Sequence, residues 1–341
     1  MKMQQERGMY GIIGISPAMQ RVYEDIKNLS HNPVNVHIYG ETGTGKQLVA
    51  RALHDQTAQQ LSRNGGFVHI NCAAIPSELV ESELFGHVQG AYTTAYTPKT
   101  GYLKRADNGT LFLDEIARAS PKLQDKILTA LDYDGEGLRQ FTPVGGVKSL
   151  SSNFRLITAS SINLRDLAIN EEFSRELFYR LATISIYLPP LRKRQKDLEL
   201  LVNHFLQKHG DKTTSIEPSA LGLIKEYPWP GNIRQLESVI KGAITYANGV
   251  ICLENLQKRI RDTDLGPSIP QDPDTGEVIF IPPQFVDAVR KGSLSQVRDA
   301  AYEIAIRHRL NQNSGSVTDT AKDLGVNRTT LHKQRTKLQI E

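Results

Sequence analysis

VNVHIYGETGTGKQLVARALH (34–54) runs through a strand, a tight turn and a helix in immediate succession. Val34, Val36 and Ile38 alternate with period two up to Gly40, and LVARALH (48–54) is patterned as a helix. Between them GETGTGK (40–46) fits the phosphate-binding pattern GxxxxGK, in the position that pattern requires, directly after a strand and opening a helix. Gly40, Gly43 and Gly45 let the chain curl through Glu41, Thr42 and Thr44 so that successive N–H groups face phosphate oxygens. The helix N-terminus adds the positive end of its dipole, and Lys46 reaches the terminal phosphates. Gln47 stands where a Ser or Thr would offer a hydroxyl to Mg²⁺, so the ion must lean on other ligands.

Outward from this loop, FVHINC (67–72), GTLFLDEI (109–116) and FRLITAS (154–160) read as strands with helical patterns between them. That alternation predicts an α/β fold, a parallel sheet covered by helices on both faces. Ser16 and Pro17 give a cap and a first-turn proline for a helix carrying Met19, Val22, Tyr23, Ile26 and Leu29 at helical spacing. LFLDE delivers Asp114 and Glu115 at the end of a buried strand. In phosphoryl transfer the first carboxylate organises Mg²⁺ and the second orients an attacking water, so the pair points to hydrolysis. Asn71, ending the neighbouring strand, is expected to hydrogen-bond Glu115 and hold it back until needed.

From about residue 185 the strand signals stop. Leu198, Leu201, Val202 and Phe205 mark one helix, and 217–258 holds at least two more around the breaker PWPG (228–231), which predicts an all-helical lid. Residues 262–283 concentrate Pro, Gly and Asp as a linker does, with VIFI (278–281) as a short candidate strand. The expected organisation is a tail over 1–10, an α/β part over 11–184, the lid over 185–260, a linker over 261–290 and a helical end domain over 291–341.

Composition limits the alternatives. The 341 residues are 39% hydrophobic and 23% charged, with no apolar run long enough for a membrane span and no secretory signal at MKMQQERGMYG, so a cytoplasmic location is expected. Cys72 and Cys252 are the two cysteines, and the nine histidines form no zinc spacing, which argues against disulfides and a metalloenzyme. The net charge of +4 has a location, since residues 291–341 hold nine Lys or Arg against five Asp or Glu.

Within that basic end, VTDTAKDLGVNRTTLHKQRTKL (317–338) has the layout of a helix-turn-helix, with Ala321 at the crossing, Gly325 at the turn and Val326 and Leu331 as core contacts. Asn327 or Arg328 begins the second helix, whose Arg328, Thr329, Thr330, His332, Lys333, Arg335 and Lys337 are candidates for contact with double-stranded DNA. The preceding segment, with Val297, Ala301, Ile304, Ala305 and Leu310, is expected to pair two such domains on a roughly palindromic site.

Taken in order, GETGTGKQLVARALH, FVHINCAAI, ESELFGHVQGAYTTA, GTLFLDEI, LFYRL, LPPLRKR and YPWPGNIRQLES resemble the AAA+ ATPase domain of bacterial enhancer-binding proteins, which activate sigma-54 RNA polymerase, over residues 11–258. The end domain resembles the Fis-type domain of the same family. The resemblance implies ATP with Mg²⁺ as cofactors, assembly from dimer to a ring, usually a hexamer, and a site between neighbouring subunits. It implies that Arg180 is a finger reaching into the neighbour's site, that Arg234 is a lid residue sensing the γ-phosphate, and that Asn71 switches Glu115. It also matches Gly90, Ala91, Tyr92, Thr93, Thr94 and Ala95 to the loop that touches sigma-54, where Thr94 replaces a glycine. Ser174 beside Arg175 stands where the first of two family arginines falls, and Ser160 and Ser161 replace a Thr-Asn pair. Two functions follow: a sigma-54 activator, or a DNA-binding regulator that uses ATP as ligand or assembly signal without remodelling that polymerase. With the phosphate loop at residue 40, no receiver domain is expected ahead of it.

Overall fold

Five strands, β1 (Val36–Tyr39), β2 (Phe67–Asn71), β3 (Thr110–Asp114), β4 (Arg155–Ser160) and β5 (Ile184–Tyr187), form one sheet in the order β5-β1-β4-β3-β2, every pairing parallel. The computed structural model describes residues 8–132, 138–211, 213–247, 249–263, 294–312 and 316–338, without the side chains of 294–297, 300, 304, 308, 311, 312 and 337. Side chains alternate between the faces of a strand, so one apolar run feeds two cores. Leu111 and Leu113 pack with Val68, Ile70 and Leu156 on one face, while Phe112 packs with Val36, Ile38, Ile157 and Ile186 on the other.

Helices α1 (Pro17–Leu29) and α2 (Lys46–Leu61) cover the second face through Met19, Val22, Ile26, Val49 and Leu53. The first starts as its sequence predicts, with the Ser16 hydroxyl accepting from the Met19 amide at 3.4 Å. Helices α3 (Pro121–Ala130), α4 (Leu164–Ile169) and α5 (Arg175–Leu181) cover the first face. Because all five strands run the same way, the phosphate loop, Asn71, Asp114 and Ser160 gather at one edge of the sheet, where open α/β folds bind ligands.

The strand β5 corrects the expected start of the lid at residue 185. Its backbone completes the sheet beside β1, with Ile184 opposite Val36 and Tyr187 opposite Tyr39. Of its four residues only Ile186 is buried, which leaves too little periodicity to read as a strand. The lid follows as α6 (Gln195–His209), α7 (Pro218–Glu226), α8 (Asn232–Tyr246) and α9 (Leu253–Thr263), the last ending beyond the expected residue 260. It is not purely helical, since Ser215–Ile216 pairs in parallel with Val250–Ile251. Trp229, in the breaker between α7 and α8, is buried and donates its indole N–H to the Ile224 carbonyl at 2.8 Å.

Residues 264–341 form a second unit. Helices α10 (Leu294–Gln312), α11 (Val317–Asp323) and α12 (Arg328–Leu338) bury Ile306, Leu310, Ala321 and Leu331 together. Gly325 turns the chain at φ +65°, and the Val326 amide donates to the Ala321 carbonyl at 3.0 Å. Val326 itself is exposed, not a core contact; its backbone makes the turn. Ala301 and Ala305 are exposed as well, while the side chains of Val297 and Ile304 lie outside the described residues, as does the linker from 264 to 290 with VIFI. No helix among the described residues is long and apolar enough to cross a membrane.

Candidate functional site

The phosphate loop takes the conformation its glycines allow. Gly43 and Gly45 adopt φ of +81° and +101°, a region costly for residues with a Cβ. A Cβ on Gly43 would also fall 2.3 Å from the Gly231 carbonyl, because the loop tip is docked on the lid. There the Gly43 carbonyl accepts from the amides of Ile233 at 3.0 Å and Arg234 at 3.3 Å. Lys46 is buried, donating from Nζ to the carbonyls of Gly40 at 2.8 Å and Glu41 at 3.2 Å. Burial draws its pKa below the ordinary lysine value, and the charges of Glu115 and Asp114 act in the opposite direction.

The loop forms one wall of a cleft of about 1150 Å³ that also takes in Asp114, Glu115 and Arg234. The cleft is also lined by Ile12 and Ile13 from a hairpin (Gly8–Met9 with Ile12–Ile13) and by Leu201, His204, Phe205 and Lys208 of α6. The phosphate loop suits phosphates, and the apolar side chains suit an aromatic base. This second wall is a functional feature that the sequence pattern assigns partly to a tail. It is built by contacts across about half the chain: buried Asp197 accepts from the amides of Ile15 at 2.6 Å and Ser16 at 2.7 Å, and Arg194 donates to the Ile13 carbonyl at 3.1 Å. Arg194 and Asp197 are themselves paired at 3.0 Å and buried.

Glu41 has a role within the loop that its motif does not announce. Arg192 grips it with two bonds, at 2.8 and 2.5 Å, and the Asn232 amide donates to it at 3.1 Å. The Arg192 bonds hold the Glu41 carboxyl below the usual carboxylate range, despite partial burial. The fork–carboxylate geometry is the strong form of an arginine pair.

Asp114 and Glu115 sit at the lip of the cleft. The Glu115 backbone is left-handed at φ +50°, and its amide donates to Asp114 Oδ1 at 3.0 Å. Its carboxylate accepts from the Ser161 hydroxyl at 2.8 Å and lies 4.0 Å from Lys46 Nζ. Asn71 does not hold Glu115, contrary to expectation. Although it pairs in register with Asp114, its Oδ1 accepts from the Ala73 amide at 3.0 Å, the local turn bond that Asn side chains favour. His69 Nε2 lies 3.6 Å from Asp114 Oδ2. Two carboxylates beside a phosphate loop make a hard-oxygen donor set that fits Mg²⁺, with Asp114 the residue to hold it. Cys72, behind the pair, has its thiol pushed up to about 12, chiefly by burial, and is a packing residue.

Other expected site residues lie elsewhere. Arg180 does not line the cleft; on α5 it pairs with Asp132 and with Glu176 at 3.4 Å, half exposed. Ser174 caps that helix by accepting from the Leu177 amide at 3.3 Å, and Arg175 points to Glu171 and the Ala168 carbonyl. Gly40 and Glu41 shape the loop from behind, while Thr42, Thr44 and Gln47 face the cleft. In the loop 90–95, Gly90 alone takes a positive φ, so the backbone at Thr94 does not demand a glycine. The loop is closed by a bond from the Gly90 amide to the Ala95 carbonyl at 2.9 Å, and Ala95 is buried. Tyr92 leans on His87, rings 5.1 Å apart, leaving Thr93 and Thr94 exposed. In α12, Arg328, Thr329, Thr330, His332 and Lys333 are exposed, Arg335 is half-buried, and the Lys337 side chain lies outside the described residues. Asn327 caps this helix, its Oδ1 accepting from the Thr330 amide at 2.7 Å.

Comparison with known proteins places this architecture. The Sigma-54 interaction domain matches residues 12–187 and an AAA+ ATPase lid domain matches residues 192–269. The DNA-binding transcriptional regulator NtrC of Azospirillum brasilense is 38% identical over 97% of this chain and 70% of its own length. The regulatory protein AtoC of Escherichia coli is 38% identical over 94% of this chain and 66% of its own. Among solved structures, NtrX from Brucella abortus in complex with ADP superposes with a TM-score of 0.68 at 29% identity, covering 96% of this chain and 70% of that one.

Proposed function

This chain belongs to the Sigma-54 interaction domain family, and from that premise we propose that it is a cytoplasmic DNA-binding regulator that hydrolyses ATP, assembles into a ring and activates sigma-54 RNA polymerase. The observation that carries the proposal is the meeting of Lys46, Asp114 and Glu115 in a single cleft that also holds apolar side chains for a base. The loop amides and Lys46 bind the triphosphate, and Arg234 approaches from the lid. Asp114 would hold Mg²⁺, which when bound offsets charge on the phosphates. Glu115 accepts a hydrogen bond from the attacking water and orients it in line. Arg180, which is not among the residues lining its own cleft, is available to a neighbour's, where a guanidinium stabilises charge in the transition state. The loop 90–95, exposed at 92–94, meets the polymerase, and α12 enters the major groove of a palindromic site.

The rival, a regulator for which ATP is a ligand or assembly signal only, draws on Thr94 and on Ser174 where the family has an arginine. Its main physical ground is the loss of glycine's positive φ, and Thr94 is not in that region. In-vitro transcription separates the two. ATP-dependent open complexes with sigma-54 polymerase, lost in Glu115→Ala, are expected; DNA binding with no open complexes at any ATP concentration would establish the rival.

A further inference from the structure

One carboxylate in the cleft has no part in binding phosphate or orienting water. Glu237 of α8 lines it together with Lys208 of α6, and the two are joined, Lys208 Nζ donating to Glu237 Oε1 at 2.8 Å. His209 Nε2 donates to the same oxygen at 2.9 Å. Both bonds fall on Oε1, and Oε2 takes none among the described residues. The Lys208 bond, seconded by that of His209, holds the carboxyl below the usual carboxylate range, against partial burial. Glu237 is therefore ionised at neutral pH and held in one pose, with one acceptor oxygen unspent.

Its place along the two helices follows from their docking. The Arg234 amide is bonded to the Gly43 carbonyl, so the start of α8 sits on the phosphate loop, and Glu237 comes three residues later, about 4.5 Å further along the axis. On α6, Leu201, Phe205 and Lys208 follow at spacings of four and three, which puts them on one face, and that face lines the cleft. The clasp between Glu237 and Lys208 thus stands about one turn from the phosphate loop's contact with α8 and one turn from the apolar side chains that suit a base. In a nucleotide, the group that joins phosphate to base is the ribose.

We infer that Glu237 reads the sugar, its Oε2 accepting a hydrogen bond from a ribose hydroxyl of the bound nucleotide, so that the cleft prefers ribonucleotides to analogues without those hydroxyls. The inference rests on the nucleotide function proposed above. An ionised carboxylate offers acceptors only and repels phosphate oxygens, whereas a vicinal diol supplies two donors and no charge. Lys208 and His209 hold the carboxylate in place without competing for Oε2.

Equilibrium binding of ATP and of 2′,3′-dideoxy-ATP to the full chain, measured by calorimetry, tests it. Wild type is expected to bind ATP about tenfold more tightly than the dideoxy analogue, the worth of one hydrogen bond to a charged acceptor. Glu237→Ala is expected to bring the two affinities within about twofold of each other, and Glu237→Gln, which keeps the shape and loses the charge, to fall between. Freeing Lys208 acts on both nucleotides alike and cancels in the ratio, while retained binding of the dideoxy analogue certifies the fold. Equal affinity of wild type for the two nucleotides overturns the inference, as does a ratio that survives Glu237→Ala. If Glu237→Ala keeps that ratio and instead loses a preference for ATP over inosine triphosphate, the contact is with the base; if His204→Ala alone loses the ratio, the histidine lining the same face of α6 reads the sugar. Failure of the proposed function looks different: wild type would bind neither nucleotide, and both then fall.

Discussion

Replacing His37 by leucine should flatten the acid limb of the stability curve. His37 is buried in the middle of β1, and burial, reinforced by the nearby charge of Lys46, pushes its pKa down to about 4 from an ordinary 6.5. Between these values the unfolded chain binds a proton at this residue and the folded chain does not, so unfolding is favoured as pH falls. Above 6.5 both states are neutral there, and below about 4 both are protonated, so the penalty grows only inside that window. The linkage relation gives a loss of about 2 kcal/mol between pH 7 and pH 5, at a slope of about 1 kcal/mol per pH unit near pH 5. Urea unfolding of wild type and His37→Leu, followed by circular dichroism at several pH values, reads the difference in slope, and every other titrating group cancels. At pH 7 the variant also loses the acceptor of the Thr158 hydroxyl, an offset of about 1–3 kcal/mol that does not depend on pH. Parallel curves for the two proteins from pH 7 to pH 5 would refute the assignment of His37 as a buried neutral link.

An equimolar mixture of Arg180→Ala and Lys46→Ala chains should recover part of the ATP turnover that each lacks alone, because mixed neighbours pair an intact loop with an intact finger; no recovery in a coupled phosphate-release assay counts against a site shared between subunits. Asp197→Ala should lower stability by about 3–5 kcal/mol, since it strands a buried arginine, whereas Arg192→Ala should cost no more than about 1 kcal/mol, its pair being well exposed. Urea midpoints read from the fluorescence of Trp229, the single tryptophan, compare the two variants.

What was legible in the sequence was what the chain decides locally. The loop 40–46, the helix begun by Ser16 and Pro17, and LFLDE each depend on spacing within a few residues, and each appears where its pattern puts it. The fifth strand did not show because one buried side chain in four carries no period. The site was legible as a set of residue types and less so as a set of contacts. Asn71 ends one strand and Ser161 directly follows another beside Asp114 and Glu115, and nothing in the order of residues says which of them reaches Glu115. A local bond to Ala73 competes for the asparagine, while the buried tie to His37 fixes the turn that carries the serine. The hairpin at 8–13 was hidden for the same reason, its meaning residing in a lid that begins after residue 187.

The two arginine pairs at the mouth of the lid divide the labour of holding it. Arg194 and Asp197 are buried, and Asp197 also accepts from Ser16 Oγ at 2.8 Å, so opening them would expose two charges with every partner lost. That cost makes this contact a permanent hinge, tying the hairpin at 8–13 to α6. Arg192 and Glu41 are exposed on both sides, joined by a fork that solvent can replace, and they connect the lid to the phosphate loop. A lid that must admit and release nucleotide without losing its register needs one contact of each kind, and the difference in burial says which is which. It follows that Arg192→Ala should act on nucleotide affinity while leaving the fold near wild type. Asp197→Ala should act on the fold first, so its effect on affinity should vanish at temperatures well below its melting point if the hairpin stays seated. A larger loss of stability for Arg192→Ala than for Asp197→Ala would reverse the assignment of hinge and latch.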